Sequence, residues 1–275
     1  MNEIIRFDHV SFAYQEDRDA LSDCSVSICA GEKIAVLGNN GAGKSTFFLL
    51  ANGVLKPQKG KLYFEGAPVG RSTKELNTLR RGVGLVFQDP DVQIIAGTVE
   101  EEISFGPMNL GLEEKEVSRR VDDSILNLDL EPLRLRAPQY LSGGEKKRVS
   151  IADVLAMETK LMLLDEPAAS LDPANAALLE QTLALLSTKG LALAIATHDV
   201  DFAWRWAQRI LAFHNGQLVA DSDPEDIFSN EALLKECRLE RPLLYQIGRT
   251  LGLSPLPRTV EACTQSIVRL YKTGI

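Results

Sequence analysis

The sequence predicts an α/β fold built on a mostly parallel core sheet. Four apolar runs carry the prediction: KIAVLG (33–38), GVGLVFQ (82–88), LMLLDE (161–166) and LALAIATH (191–198). They lack polar alternation, as strands buried on both faces do. Helical stretches at 44–53, 112–128, 143–157 and 173–189 fall between them, and strand–helix alternation of this kind builds a parallel sheet. Charged or glycine-rich motifs end the runs, where open α/β sheets bind ligands.

The remaining elements follow in order. IIRFDHVSFAY (4–14) and CSVSI (24–28) are β-rich and read as strands of a separate antiparallel β subdomain. The segment 97–157 interrupts the alternation with helices only and reads as a helical subdomain. RILAFHNGQLVAD (209–221) reads as a hairpin turning at Asn215-Gly216. Beyond Asp223, Pro242 can open a helix with Leu243, Ile247 and Leu251 on one face. Thr259 can cap another carrying Val260, Cys263, Ile267 and Leu270. The division is therefore a main domain over 1–225 and a small helical appendix over 226–275. The appendix's apolar face either contacts a second copy or folds back on its own domain.

Composition narrows the function. The chain has 275 residues, 45% hydrophobic and 25% charged, with a formal net charge of −8. That balance disfavours nucleic acid as a partner. The apolar runs are too short to span a bilayer, and MNEIIRFDHV lacks the basic start and apolar core of a signal peptide. Cys24, Cys29, Cys237 and Cys263 form no CxxC pair, so neither zinc nor a disulfide framework is expected, and a reducing cytoplasm is the default.

GNNGAGKST (38–46) has the pattern GxxxxGK[ST] between a strand and a helix, the context of a phosphate-binding P-loop. Gly38, Asn39, Asn40, Gly41, Ala42 and Gly43 supply backbone. Lys44 supplies charge, and Ser45, followed by Thr46, a hydroxyl for Mg²⁺. In LMLLDEP (161–167), Asp165 is placed to hold Mg²⁺ and Glu166 to polarise an attacking water. His198 in ATHDV ends another strand and can orient that water, although a lone His is more often structural. Gln88 can contact Mg²⁺ or water, and Tyr14 can stack on adenine, although a strand aromatic more often packs.

A second helix start, LSGGEKKR (141–148), has the same look of an anion cradle. With the P-loop, Gln88, LMLLDEP, Ser170-Leu171-Asp172 and His198, it stands in the order and spacing of ABC-type ATPases, which the chain resembles over about residues 3–225. The resemblance implies ATP and Mg²⁺ as cofactors and ATP hydrolysis. It also implies a head-to-tail dimer, with each ATP between one copy's P-loop and the other's Ser142, Gly143 and Gly144. It makes Glu166 the general base, His198 the switch, Gln88 the sensor and Asp172 part of the loop joining the two sites. Glu145 stands where Gln is usual, and Ala168-Ala169-Ser170 replaces Thr-Ala-Gly, which implies an altered rate rather than lost activity.

FQDPDVQ (87–93), TVEEEISFGPMNLGL (98–112) and LERPLLYQIGRTLGL (239–253) are similar to the ATPases of energy-coupling-factor importers, most of all the CbiO-like cobalt/nickel branch. That implies a peripheral place on the cytoplasmic face of the cell membrane. The partners are a second copy, a transmembrane coupling subunit and a substrate-binding membrane subunit. Ile94, Ile95 and Phe105 would line the docking groove. A complete P-loop and signature in one chain favour a homodimer. Three alternatives stay open: another ABC transport ATPase with vitamin or other cargo, a soluble ABC ATPase acting on DNA or the ribosome, and a P-loop kinase.

Overall fold

The computed structural model describes residues 2–15, 18–169 and 171–273. Its first half holds β1 (Glu3–Gln15), β2 (Arg18–Cys29), β3 (Lys33–Leu37), α1 (Lys44–Ala51), β4 (Lys59–Phe64), β5 (Ala67–Pro68), α2 (Thr73–Gly82), β6 (Val83–Val86), α3 (Val99–Asn109) and α4 (Glu114–Asn127). The second half holds α5 (Gly143–Ala156), β7 (Leu161–Asp165), α6 (Pro173–Thr188), β8 (Ala192–Thr197), α7 (Val200–Trp206), β9 (Arg209–His214), β10 (Gln217–Ser222), α8 (Pro224–Ser229), α9 (Glu231–Cys237), α10 (Leu243–Thr250) and α11 (Val260–Thr273).

The core sheet has the order β10-β9-β3-β8-β7-β6. Its strands run parallel except β10, which turns back on β9. A second, antiparallel sheet has the order β2-β1-β4-β5. The unalternating apolar runs are explained by what covers the core sheet. Ile34 and Val36 of β3, Leu161 and Leu163 of β7, and Leu211 and Phe213 of β9 face a core shared with α1 and the antiparallel sheet. There Phe47 lies 4.6 Å from Phe7 and 5.3 Å from Phe213, centroid to centroid. On the opposite face, Met162, Leu164, Leu193 and Ile195 meet α3, α4, α5 and α6. Ala35, Leu37, Ile210 and Ala212 meet α7, α8, α9 and α10. Each strand thus spends its odd and even positions on different apolar layers.

The appendix packs on its own domain through a face other than the leucine one. On α10 the buried residues are Tyr245 and Gly248, while Leu243 is 61% and Leu251 44% exposed. The reason lies on α7. Trp204 offers an edge-to-face partner to Tyr245 at 5.3 Å and donates its Nε1–H to Pro257 O at 2.9 Å. Gly248 lets Pro257 lie so close that a Cβ would sit 2.7 Å from its Cδ. The face read from leucine spacing loses to an aromatic contact with a hydrogen-bonded anchor. Thr259 does cap α11, accepting from Ala262 N at 3.1 Å. There Cys263 is buried, while Val260, Ile267, Val268 and Tyr271 are exposed. All four cysteines are free thiols, and among the described residues no helix is long and apolar enough to cross a membrane.

Candidate nucleotide site

The loop between β3 and α1 is shaped by what presses on it. Gly43 takes φ 109° as the residue before α1, and a Cβ there would lie 2.8 Å from Ala20 O and 3.3 Å from Gly216 Cα. Gly38, at φ 150°, has the Phe213 carbonyl in the space a Cβ would need. Only glycine fits either position. No side chain caps α1, so its first amides are left for an anion.

Lys44 is 6% exposed. Its Nζ donates to Gly38 O at 2.5 Å and Asn39 O at 3.4 Å, and lies 3.9 Å from Glu166 Oε1. Burial holds its pKa below the usual lysine range, with Glu166 and Asp165 pulling the other way. A phosphate entering the loop replaces weak backbone acceptors with a charged one.

Asp165 and Glu166 continue from β7. Glu166 is 9% exposed and takes φ 43°, the left-handed region that residues other than glycine rarely adopt. Its N–H still donates to Ala196 O at 2.9 Å, so the turn is tied to β8. Its Oε2 lies 3.0 Å from His198 Nδ1 at the end of that strand. Strain of this kind clusters where a side chain must be aimed.

These groups line one cleft of about 950 Å³. It brings together Tyr14, Asn39, Asn40, Gly41, Ala42, Gly43, Lys44, Ser45, Thr46, Gln88, Asp165, Glu166 and His198, with Gly38 buried beneath. Tyr14 is 60% exposed at one end, with its OH 3.4 Å from Thr46 Oγ1. Ser142, Gly143, Gly144 and Asp172 do not line it. They form a second group at the starts of α5 and α6. Ser142 caps α5 and Asp172 caps α6, and the Asn175 side chain packs where Gly144 would carry a Cβ. Hydrogen bonds from Asn175 keep Asp172 below the usual carboxylate range. Ser170, beside them in sequence, lies outside the described residues.

The sequence matches the family described as ABC transporter over residues 21–169. It is 42% identical over 266 residues to an energy-coupling factor transporter ATP-binding protein of Methanospirillum hungatei, a match spanning 94% of this chain and 67% of that one. It is 41% identical over 269 residues to a cobalt import ATP-binding protein of Rhodobacter capsulatus, spanning 95% and 96%. A solved Clostridium perfringens subunit, described as part of the ABC transporter complex cbiONQ, is similar with a TM-score of 0.77 and 34% identity, over 92% of this chain and 100% of that one. An ATP-binding cassette dimer holding ADP and phosphate is similar with a TM-score of 0.72 and 26% identity, over 80% and 99%. The chain is an ABC transporter ATPase.

Two features of this ABC ATPase were not legible in its motifs. Lys147, in the charged run after LSGG, is 2% exposed and donates to Phe87 O at 2.9 Å and Gln88 O at 2.6 Å. Burial lowers its pKa to about 8, with Asp89 and Asp165 opposing. It fastens the signature helix to the Gln88 backbone. Beside it, Gln93 accepts from Phe87 N at 3.2 Å and donates to Ser150 O at 3.0 Å and Asp153 Oδ2 at 3.1 Å. Glu102, 2% exposed, accepts from Ile95 N at 2.8 Å and Ala96 N at 2.7 Å. The loop after Gln88 is thus pinned by buried polar groups from α5 and α3.

Asp153 carries a pH signature. Burial pushes its pKa up to about 7 from an ordinary 3.8; the Gln93 hydrogen bond opposes the rise and Glu102 adds to it. Between those values the folded state binds more protons than the unfolded state, so stability falls as pH rises through about 7 and levels off above. Asp153→Asn, which keeps the neutral shape, should remove that slope. We expect the variant's Tm to match wild type near pH 4.5 and to exceed it by roughly 2–4 °C at pH 8. Thermal melts at both pH values check this, and a constant difference would refute it.

Proposed function

We propose that this ATPase energises an importer of the energy-coupling-factor class that moves Co²⁺ or Ni²⁺. One observation carries the mechanism: the chain's two anion cradles do not meet. The P-loop lines the cleft, while Ser142–Gly144 stand outside it. Two copies placed head to tail, each P-loop facing the other's signature, bring the cradles together around shared ATP, and identical copies give two equivalent sites. The similarity to a cobalt import ATP-binding protein runs through 95% of this chain, which favours the metal cargo.

In this reading Tyr14 stacks on adenine, and the P-loop amides with Lys44 hold the phosphates. Thr46, next to Ser45, closes the inner end of the loop. Ser45, Gln88 and Asp165 present oxygen donors in one cleft, a donor set suited to Mg²⁺. An ion held there would offset phosphate charge. Glu166 takes the proton of the attacking water, and His198, bonded to its Oε2, holds the carboxylate in aim. Asp172 carries contact between the two sites. In the signature, Glu145 Oε2 accepts from Ser142 Oγ at 2.8 Å and Ser142 N at 2.7 Å. A carboxylate there stands beside the place the partner's phosphate must enter, which argues for slower closure than a neutral amide gives. Glu166→Gln should bind ATP as wild type does, lower turnover by about 10²-fold or more, and collect as an ATP-dependent dimer. Phosphate release and sedimentation measure both, and near-normal turnover removes Glu166 as the base.

The membrane subunit docks on the loop after Gln88. Ile95 and Phe105 are 70% and 50% exposed, with Met108 beside them at 64%. Ile94 packs on the helical core instead, so the groove relies on the other three. Ile95→Asp should leave ATP hydrolysis by the soluble protein within about twofold and abolish transport in the assembled complex. Uptake of labelled cobalt, nickel and a vitamin panel by that complex reads coupling and cargo together. Undiminished transport places the groove elsewhere, and uptake of vitamins alone rejects the metal reading.

The exposed side of the appendix, with Leu243, Leu251, Val260 and Ile267, is covered by the same side of the second copy. The docked part of the appendix belongs to the fold, so the test must spare it. A chain ending at Arg258 keeps Pro257 on Trp204 and loses only α11. Sedimentation should find it dimeric with ATP alone, and a nucleotide-free dimer overturns this contact.

A further inference from the structure

We propose that Arg238 is a further nucleotide contact, a guanidinium carried by the C-terminal segment that binds the outermost phosphate of ATP. Arg238 ends α9 in a turn closed by Arg238 N donating to Lys235 O at 3.3 Å and Leu239 N donating to Leu234 O at 2.8 Å. The turn puts it at φ 51°, ψ 45°, the left-handed cap position where glycine is favoured because a Cβ is strained. A long charged residue therefore stands where local backbone chemistry selects for none.

Its base is fixed. Cys237 is fully buried, and Leu233 and Leu234 pack in the cluster that holds Ala35 and Leu37 of β3. The carboxyl end of that strand is the P-loop. From this anchored turn Arg238 lines the same cleft as Asn39, Asn40, Lys44, Asn215 and His198. Asp19, Asp165 and Glu166 line it too, yet among the described residues none pairs with the Arg238 guanidinium. Cleft carboxylates therefore leave this cation for a ligand.

The ligand follows from chemistry. Guanidinium is a permanent charge with a planar fork that fits two phosphate oxygens. In the proposed reaction Glu166 and His198 stand at the terminal phosphate, and Arg238 shares their cleft, so its guanidinium is set to meet that phosphate. Arg238 then separates ATP from ADP. It also ties the position of the C-terminal helices to the presence of the terminal phosphate. This inference rests on the cleft being the ATP site.

Arg238→Gly gives a clean test, because glycine suits the left-handed turn and the variant should melt no lower than wild type. Full-length proteins are titrated with Mg²⁺-AMP-PNP and with Mg²⁺-ADP. We expect the variant's Kd for AMP-PNP to rise by about fivefold or more, its Kd for ADP to change by less than about twofold, and Arg238→Lys to recover part of the loss. Equal affinities in wild type and Arg238→Gly, or equal losses for the two nucleotides, overturn the assignment. Failure of wild type to bind either nucleotide overturns the ATP site itself and this contact with it.

Discussion

Leu37 pairs with Thr197, and Asp165 pairs with Ala196. Those two rungs set the P-loop, the Asp165-Glu166 pair and His198 level with one another along one edge of the sheet. Everything at the cleft depends on that register. A slip of one residue in a parallel strand turns each side chain to the opposite face. Here it would exchange Leu163 and Leu164 between two different apolar layers. The core therefore fixes the chemistry: the register cannot move without unpacking both faces. The strained Glu166 turn is held by the same means, through its N–H on Ala196 O.

Around that edge, one buried lysine and free helix amides face an anion, with carboxylates beside them. Lys44 is buried and its nearby carboxylates are Asp165 and Glu166. The free α1 amides add partial positive charge. Meanwhile Lys147 spends its charge on the carbonyls of Phe87 and Gln88. It makes the Gln88 loop and the signature helix one mechanical piece. Ser142 caps the same helix, so one buried lysine joins the Gln88 backbone to the signature within a single copy.

What could be read from sequence was the chemistry whose partners are local. Gly38, Glu166 and His198 each sit one residue past a strand end and Lys44 opens the helix after β3, so hydropathy and motif spacing placed them. Lys147 looked like one more charge in KKR, because its acceptors lie some sixty residues away. Asp153 gave no signal for the same reason, whereas Glu102 bonds amides only six and seven residues back, in a loop with no motif to mark them. On α10, leucine spacing pointed to one face, and Trp204, forty residues earlier, selected Tyr245 on another. Ile94 and Ile95 are adjacent and equally apolar, yet one is covered by the helical core and the other exposed. The chain there is held by Ile94 N on Pro90 O and by Glu102 on Ile95 N and Ala96 N.

The two faces of β3 explain why the C-terminal helices belong to the catalytic fold rather than hanging from it. Ile34 and Val36 join the core under the antiparallel sheet, while Ala35 and Leu37 join the cluster of Trp204, Phe228, Cys237 and Tyr245. The strand that ends in the P-loop is therefore buried on one side by a layer that α7 shares with the appendix. Packed interiors have low compressibility and shift as units. α7 is the element through which the appendix reaches the P-loop strand. α11 lies outside that layer: only Cys263 of its apolar residues is buried, and Val260, Ile267, Val268 and Tyr271 stay exposed.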